Sequence, residues 1–150
     1  MNMRNQIVIV LLSFYGYALC ASKQGGLPKK VIEECRKATG VTEAEAQELQ
    51  ENDLVKDESN EAHRCFVACI LSKRGAMKDG KMVVEEAVHA AKDGFKEAGF
   101  PFDEAKYRKG LEECNKQTGE GKCVKSYNAW KCFLSFTSKT MIKSAEDKGK

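Results

Sequence analysis

Seven cysteines in a chain of 150 residues constrain the fold of this protein more than any other feature of its sequence. Their meaning depends on the compartment, because disulfides persist in secreted proteins and are rare in the cytosol. An apolar run over 7–19 is followed by a small-x-small pattern at Ala18 and Cys20, which is typical of a secretory cleavage site. That run is too short to cross a hydrocarbon core of about 30 Å. We therefore predict a signal peptide over 1–20 and a secreted, extracellular domain over 21–150.

The composition is that of an ordinary globular domain, and it excludes several classes of function. The chain carries 25 basic and 22 acidic side chains, which give a net charge of +3 and are mixed along the sequence. Because there is no basic block, we expect no nucleic-acid partner. No segment after the predicted signal peptide is apolar enough to span a bilayer, so we expect no stable membrane insertion. The composition leaves open whether the protein is a monomer or a weak homodimer.

Removal of Cys20 with the signal peptide leaves an even number of cysteines. In an oxidising compartment an even number predicts three disulfides and no free thiol. The closely spaced pair in the third predicted helix has no second Cys/His pair that could complete a tetrahedral zinc site, so we expect no metal and no cofactor. The remaining cysteines are Cys35, Cys65, Cys69, Cys114, Cys123 and Cys132.

Helical periodicity and helix-ending residues predict an all-α fold. A capping box at Thr42-Glu-Ala-Glu45 starts the second helix, and apolar residues from Val84 to Phe95 repeat at helical spacing in the fourth. No alternating run is long enough to predict a strand. The six predicted helices extend from Pro28 to Gly40, from Thr42 to about Asn52, from Ser59 to before Gly75, between Gly80 and Gly99, between Asp103 and Gly119, and from about Lys122 to Ser138.

Apolar residues are distributed unevenly between the third helix and the carboxyl-terminal tail. The segment 65–71 (Cys-Phe-Val-Ala-Cys-Ile-Leu) is apolar on every side of a helix, so we expect it to be the buried middle of the domain. The tail over 138–150 is mostly polar, with an isolated pair, Met141 and Ile142. We expect this tail either to fray or to place that pair over the mouth of a pocket.

Helix geometry limits how the six cysteines can pair. Six cysteines allow 15 pairings. Cys123 and Cys132 are nine residues apart on one predicted helix, a separation of about 13.5 Å, which is beyond disulfide reach. Cys65 and Cys69 lie one turn apart with parallel side chains, which makes a bridge between them poor. Each exclusion removes three pairings and the two share one, so ten pairings remain, and the last helix must be joined to two different neighbours.

The spacing of these cysteines resembles that of the insect odorant-binding proteins of the pheromone/general odorant-binding family. The most specific features are three residues between the second and third cysteines and eight between the fifth and sixth. The order of predicted helices, the signal peptide and the length of the mature chain also match, so the resemblance covers essentially all of 21–150. It implies that the first cysteine pairs with the third, the second with the fifth and the fourth with the sixth, which gives Cys35–Cys69, Cys65–Cys123 and Cys114–Cys132.

The resemblance also implies a function. The expected protein is a carrier whose compact six-helix domain encloses an apolar cavity, binds a small hydrophobic ligand such as an odorant or pheromone, and delivers it through aqueous fluid to a membrane odorant receptor. Disulfides would offset the packing that is lost when the middle of the domain is hollow. We expect walls from the first, third, fourth, fifth and sixth helices. The expected ligand contacts are Ile32, Phe66, Ile70, Met77, Val84, Val88, Ala91, Leu111, Tyr127, Trp130 and Phe133.

Two other classes of function fit the sequence less well than a carrier does. A small secreted enzyme such as a phospholipase needs a His–Asp pair beside a glycine-rich calcium loop, and a serine hydrolase needs a G-x-S-x-G turn. The sequence contains none of these motifs, so we expect no catalytic residues. A secreted signalling or venom-type protein that acts through a helix face is the alternative, and binding of an apolar probe would distinguish it from a carrier.

The two histidines are candidates for control of ligand release by pH. His89 follows Val88 on the edge of the apolar stripe of the fourth helix, so its protonation is expected to loosen that helix or the tail. His63 begins the third helix, where a positive charge is already disfavoured, and we expect it to face solvent. We therefore predict weaker binding at pH 5 than at pH 7, with His89 as the preferred switch.

Overall fold

Six α-helices and one short β-hairpin make up the described part of the protein. The structure is a computed structural model that describes residues 27–52 and 54–148. The predicted signal peptide over 1–20 lies outside the described residues, and so does its cleavage site. The prediction of an all-α fold with six helices is confirmed. The elements are α1 (Lys29–Thr39), α2 (Glu43–Glu51), α3 (Glu61–Lys73), β1 (Met77–Lys78), β2 (Lys81–Met82), α4 (Val84–Glu97), α5 (Glu104–Cys114) and α6 (Val124–Lys148).

Helix ends follow the local signals in the sequence. Gly40 ends α1 in the left-handed conformation, with φ of 76°, and its N–H donates to the carbonyl of Arg36. The capping box of α2 is complete, because the Thr42 hydroxyl accepts from the Glu45 N–H and the Glu45 carboxylate accepts from the Thr42 N–H. Asp103 caps α5 by accepting from the N–H of Lys106. Each cap satisfies backbone groups that a helix leaves unpaired at its ends.

A short antiparallel hairpin corrects the expectation that the chain forms no strand. Met77 pairs with Met82 and Lys78 with Lys81, and the turn between them consists of Asp79 and Gly80. Both turn residues have positive φ, 51° for Asp79 and 74° for Gly80. An Asp-Gly pair with this backbone is a common two-residue hairpin turn, because its twist matches that of the strands. Two residues per strand are too few to produce a detectable alternation in the sequence.

The last helix is longer than predicted. It continues from Val124 to Lys148, ten residues past the predicted end at Ser138. Burial explains the extension, because Met141, three residues past the predicted end, is enclosed in the core. The hydroxyls of Thr137 and Tyr107 form a buried hydrogen bond of 2.6 Å just before that point. The tail therefore does not fray within the described residues. Its two apolar residues have different environments, since Met141 is buried and Ile142 is exposed.

Two groups of buried apolar side chains form the core. The first, called the main cluster, lies between α3, the hairpin, α4, α5 and α6; the second, called the small cluster, lies between α1, α2 and α3. Leu49 packs against both. The main cluster consists of Val55, Leu71, Met77, Met82, Ala87, Val88, Ala91, Phe95, Tyr107, Leu111, Tyr127, Trp130, Phe133, Leu134 and Met141. The small cluster consists of Cys35, Val41, Ala46, Phe66 and Ile70.

Three disulfides join the helices in the pattern that the resemblance implies. Cys35–Cys69 joins α1 to α3, Cys65–Cys123 joins α3 to the start of α6, and Cys114–Cys132 joins α5 to α6, with Cα–Cα distances of 5.7, 5.1 and 5.4 Å. The last helix is thus joined to two different neighbours, as predicted. The prediction that Cys123 and Cys132 lie on one helix is wrong, because Cys123 precedes α6 and has a positive φ of 62°.

Candidate ligand-binding site

The predicted ligand contacts are divided between the two clusters instead of forming one site. Ile32, Phe66 and Ile70 belong to the small cluster or pack against it. The other eight, which belong to the main cluster or pack against it, are Met77, Val84, Val88, Ala91, Leu111, Tyr127, Trp130 and Phe133. The structure therefore brings together the predicted residues of the hairpin, α4, α5 and α6, and it separates those of α1 and α3 from them.

The two faces of α3 explain this division. Phe66 and Ile70 are four residues apart and belong to the small cluster, beneath α1 and α2. Val67 and Leu71 have the same spacing on the neighbouring side of α3, about 100° further around the helix, and contact the main cluster. The sequence indicates that this segment is apolar all round, and the structure confirms that α3 is central. Which neighbour each face meets depends on how the helices pack and cannot be read from periodicity.

Aromatic side chains that are not among the predicted ligand contacts complete the main cluster. Phe95 and Tyr107 are almost fully buried, and their rings lie 6.3 Å apart. Phe102 contacts both, with ring-centre distances of 5.1 Å to Phe95 and 5.2 Å to Tyr107. Phe95 could have been found, because it continues the stripe of α4 that contains Val88 and Ala91. No local signal marks Phe102, which lies outside any helix.

The hydroxyl of Tyr127 connects the main cluster to the loop between α2 and α3. It accepts a hydrogen bond from the Val55 N–H at 3.2 Å and donates to the Glu58 carboxylate at 3.4 Å. The Lys131 ammonium binds the other oxygen of the Glu58 carboxylate at 2.7 Å. Burial raises the pKa of the Tyr127 phenol above its ordinary value of 10.0, so the group stays protonated at neutral pH. This hydroxyl therefore holds the loop in place through two hydrogen bonds.

Arg64 lies beside the same loop. Only 9% of the residue is exposed, and its Nη1 donates to the carbonyl of Glu58. Its Nε is buried and has no hydrogen-bond partner within residues 27–52 and 54–148. No local signal in the sequence marks Arg64, since a charged residue near the start of a helix is ordinarily solvated.

The histidines occupy environments opposite to those expected. The His63 side chain is only 17% exposed, and its Nε2 lies 3.2 Å from the Glu45 carboxylate. Hydrogen bonds from the Thr42 hydroxyl and N–H, and then from His63, lower the pKa of Glu45 from 4.5 to about 2. His89 is 81% exposed on the outer side of α4, 3.6 Å from Asp93. The expectation that His63 faces solvent is wrong, and the exposure of His89 removes the reason for preferring it as the switch.

Neither a metal centre nor a membrane span is found in the part of the chain that the structure describes. Within residues 27–52 and 54–148, His, Cys, Asp and Glu side chains do not form any group of three that could hold a metal ion. None of the helices in these ranges is long and apolar enough to cross a membrane.

The fold and the buried residues together define a class of protein. Six helices, three interlocked disulfides and an apolar interior are the features of a helical ligand-binding domain of the six-cysteine type. The chain belongs to the PBP/GOBP family, whose family model matches residues 20–135. It is 30% identical over 116 residues to the general odorant-binding protein 56a of Drosophila melanogaster, and the match covers 77% of each chain. No solved structure gives a significant match.

Proposed function

We propose that this protein is a secreted carrier that binds small apolar ligands, such as odorants, pheromones or similar volatiles, inside its helical domain. It transports them through aqueous fluid to a membrane receptor. In this proposal residues 1–20 form a signal peptide and residues 21–150 form the mature carrier domain. Membership of the PBP/GOBP family supports the binding of small hydrophobic ligands, and the Drosophila relative is named as a general odorant-binding protein.

The main cluster is the observation that carries the proposal at the level of residues. Its eight predicted contacts come from the hairpin, α4, α5 and α6, so an apolar molecule among them would be covered on several sides. Burial of apolar surface provides most of the binding free energy for such a ligand. The thioethers of Met77 and Met82 are suited to this place, because their side chains are flexible and adapt to ligands of different shape.

The small cluster is better suited to a structural role. It contains Cys35, whose disulfide to Cys69 joins α1 to α3, and it is covered by α2. We therefore propose that Phe66 and Ile70 stabilise the packing of α1 and α2 on α3, and that the ligand contacts predicted for these residues and for Ile32 are not used.

A displacement assay with paired variants tests both the function and the location. Wild-type protein is expected to bind the fluorescent apolar probe N-phenyl-1-naphthylamine at micromolar concentrations and to release it when an apolar volatile is added. Ala91→Phe puts a ring into the main cluster at a position that is 4% exposed, and it should abolish probe binding. The matched control, Ala46→Phe, puts the same ring into the small cluster at a position that is 2% exposed, and it should leave probe affinity unchanged.

The stability of the same variants gives an independent result. Overfilling a solid core costs about 1–3 kcal/mol, whereas filling space that a ligand occupies costs less. We therefore expect Ala46→Phe to lower the urea midpoint more than Ala91→Phe does. Absence of probe binding to the wild type would contradict the carrier function and favour action through a helix face. Loss of binding in Ala46→Phe alone would move the ligand to the small cluster.

A further inference from the structure

Arg64 carries a buried positive charge whose hydrogen-bonding capacity is only partly used. Its Nη1 donates to the Glu58 carbonyl, while its Nε is buried and finds no acceptor among the described residues. No carboxylate among the described residues forms an ion pair with it. A buried charge is costly unless it is paired, and a buried N–H without an acceptor adds to that cost. This arrangement is unusual for a purely structural side chain.

The position of Arg64 places this group at the edge of the main cluster. Val67 and Leu71 lie three and seven residues further along α3, on the same face of the helix, and both contact the main cluster. The carbonyl that Arg64 binds belongs to the loop whose Val55 is also part of that cluster. Arg64 is therefore located where the polar loop meets the apolar interior.

The charged groups next to Arg64 in sequence, on the loop and on α3, have other partners. The Glu58 carboxylate is engaged by Lys131 at 2.7 Å and by the Tyr127 hydroxyl at 3.4 Å. On α3 itself, Glu61 lies 3.9 Å from Lys122, and His63 lies 3.2 Å from a carboxylate of α2. Among the described residues these pairs leave Arg64 without a carboxylate partner.

We propose that Arg64 binds the carboxylate of an amphipathic ligand, a fatty-acid-type monocarboxylate, whose hydrocarbon chain lies in the main cluster. A carboxylate oxygen accepts a hydrogen bond from Nε and also balances the guanidinium charge, and hydrogen bonds of this charge-assisted kind are among the strong ones. An ester or alcohol oxygen of the same chain length could accept the hydrogen bond but could not balance the charge. The assignment rests on the proposed function, because it needs a hydrocarbon chain to enter the main cluster.

The test compares two ligands with the same acyl chain, one with a charged carboxylate head group and one with its neutral methyl ester. Dodecanoate and methyl dodecanoate are titrated at pH 7.4 against wild-type protein loaded with N-phenyl-1-naphthylamine. We expect the wild type to bind dodecanoate more tightly than the ester. Arg64→Met retains much of the side-chain length and removes the charge, and it should weaken dodecanoate binding about 10- to 100-fold while leaving the ester and the probe unchanged.

Arg74→Met is the matched control. Arg74 lies just after the same helix and is exposed, so its removal changes the net charge equally but leaves the main cluster intact. It should reduce dodecanoate affinity less than twofold.

Each other outcome overturns a particular claim. If the wild type binds the probe and the ester, but its affinity for dodecanoate is no higher than its affinity for the ester, the role of Arg64 is refuted. The Nε group would then be satisfied by water alone. Equal weakening of both ligands in Arg64→Met would also refute it, because the side chain would then act only on the shape of the domain. If the wild type does not bind the neutral probe at all, the carrier function itself fails.

Discussion

Because Gly110 contacts Phe136, tertiary packing decides whether Gly110→Ala raises or lowers the stability of the protein. Gly110 lies inside α5, where replacement of glycine by alanine ordinarily stabilises a helix by about 1 kcal/mol. A Cβ atom at this position would lie no farther than 2.6 Å from each of the three outermost ring carbons of Phe136 on α6. Ordinary carbon contacts are about 3.5–4.0 Å, so the ring would have to move by roughly 1 Å or more.

The cost of that movement exceeds the gain in helix propensity. The Phe136 ring lies 5.3 Å from the ring of Tyr107, and it packs against the main cluster. Displacing a packed ring costs about 1–3 kcal/mol. Since the propensity gain is about 1 kcal/mol, we expect Gly110→Ala to destabilise the protein by up to about 2 kcal/mol.

A double-mutant cycle measured by urea unfolding tests this reasoning. Phe136→Ala removes the ring, so Gly110→Ala in that background should stabilise the protein by up to about 1 kcal/mol. The two substitutions should therefore show a coupling energy of about 1–3 kcal/mol. If Gly110→Ala stabilises the wild-type protein, or if its effect is the same in both backgrounds, the packing argument is refuted.

Three further predictions concern the disulfides, the loop and pH. Replacing Cys114 and Cys132 by serine opens a loop of 18 residues and should cost about 3 kcal/mol in urea unfolding; an unchanged midpoint would contradict the contribution of that bridge. Tyr127→Phe leaves the buried Val55 N–H without its acceptor and should cost about 1–3 kcal/mol. Tyr127→Phe should also speed hydrogen exchange at the Val55 amide. Exchange as slow as in the wild type would refute the role of the hydroxyl. The pKa of Glu45 is lowered from 4.5 to about 2, so its ionised form stabilises the fold above pH 4.5, and that contribution is lost as the pH falls towards 2. Glu45→Gln should therefore be less stable than the wild type at pH 7 and equal to it near pH 2, whereas a constant difference would contradict the assignment.

The features that the sequence determined by itself are those encoded by local signals or by the spacing of a few residues. Gly40, the Thr42 capping box and Asp103 mark helix ends, because caps depend on hydrogen bonds within three or four residues. Helical periodicity predicted the all-α class of fold. The resemblance of the cysteine spacing to a known family supplied the disulfide pairing, since helix geometry alone had left ten pairings open. The Asp79-Gly80 turn was a local signal of the same kind, although the sequence analysis did not use it.

Helix packing in three dimensions sets which buried residues share a site and which polar groups are enclosed. It separated Phe66 from the main cluster, extended α6 past Ser138 by burying Met141, and enclosed His63 while leaving His89 in solvent. It also buried the charge of Arg64. These outcomes depend on which helix faces meet, and that choice follows from the summed burial of side chains far apart in sequence. Helical periodicity shows that a face is apolar, but it contains no information about the partner that covers it.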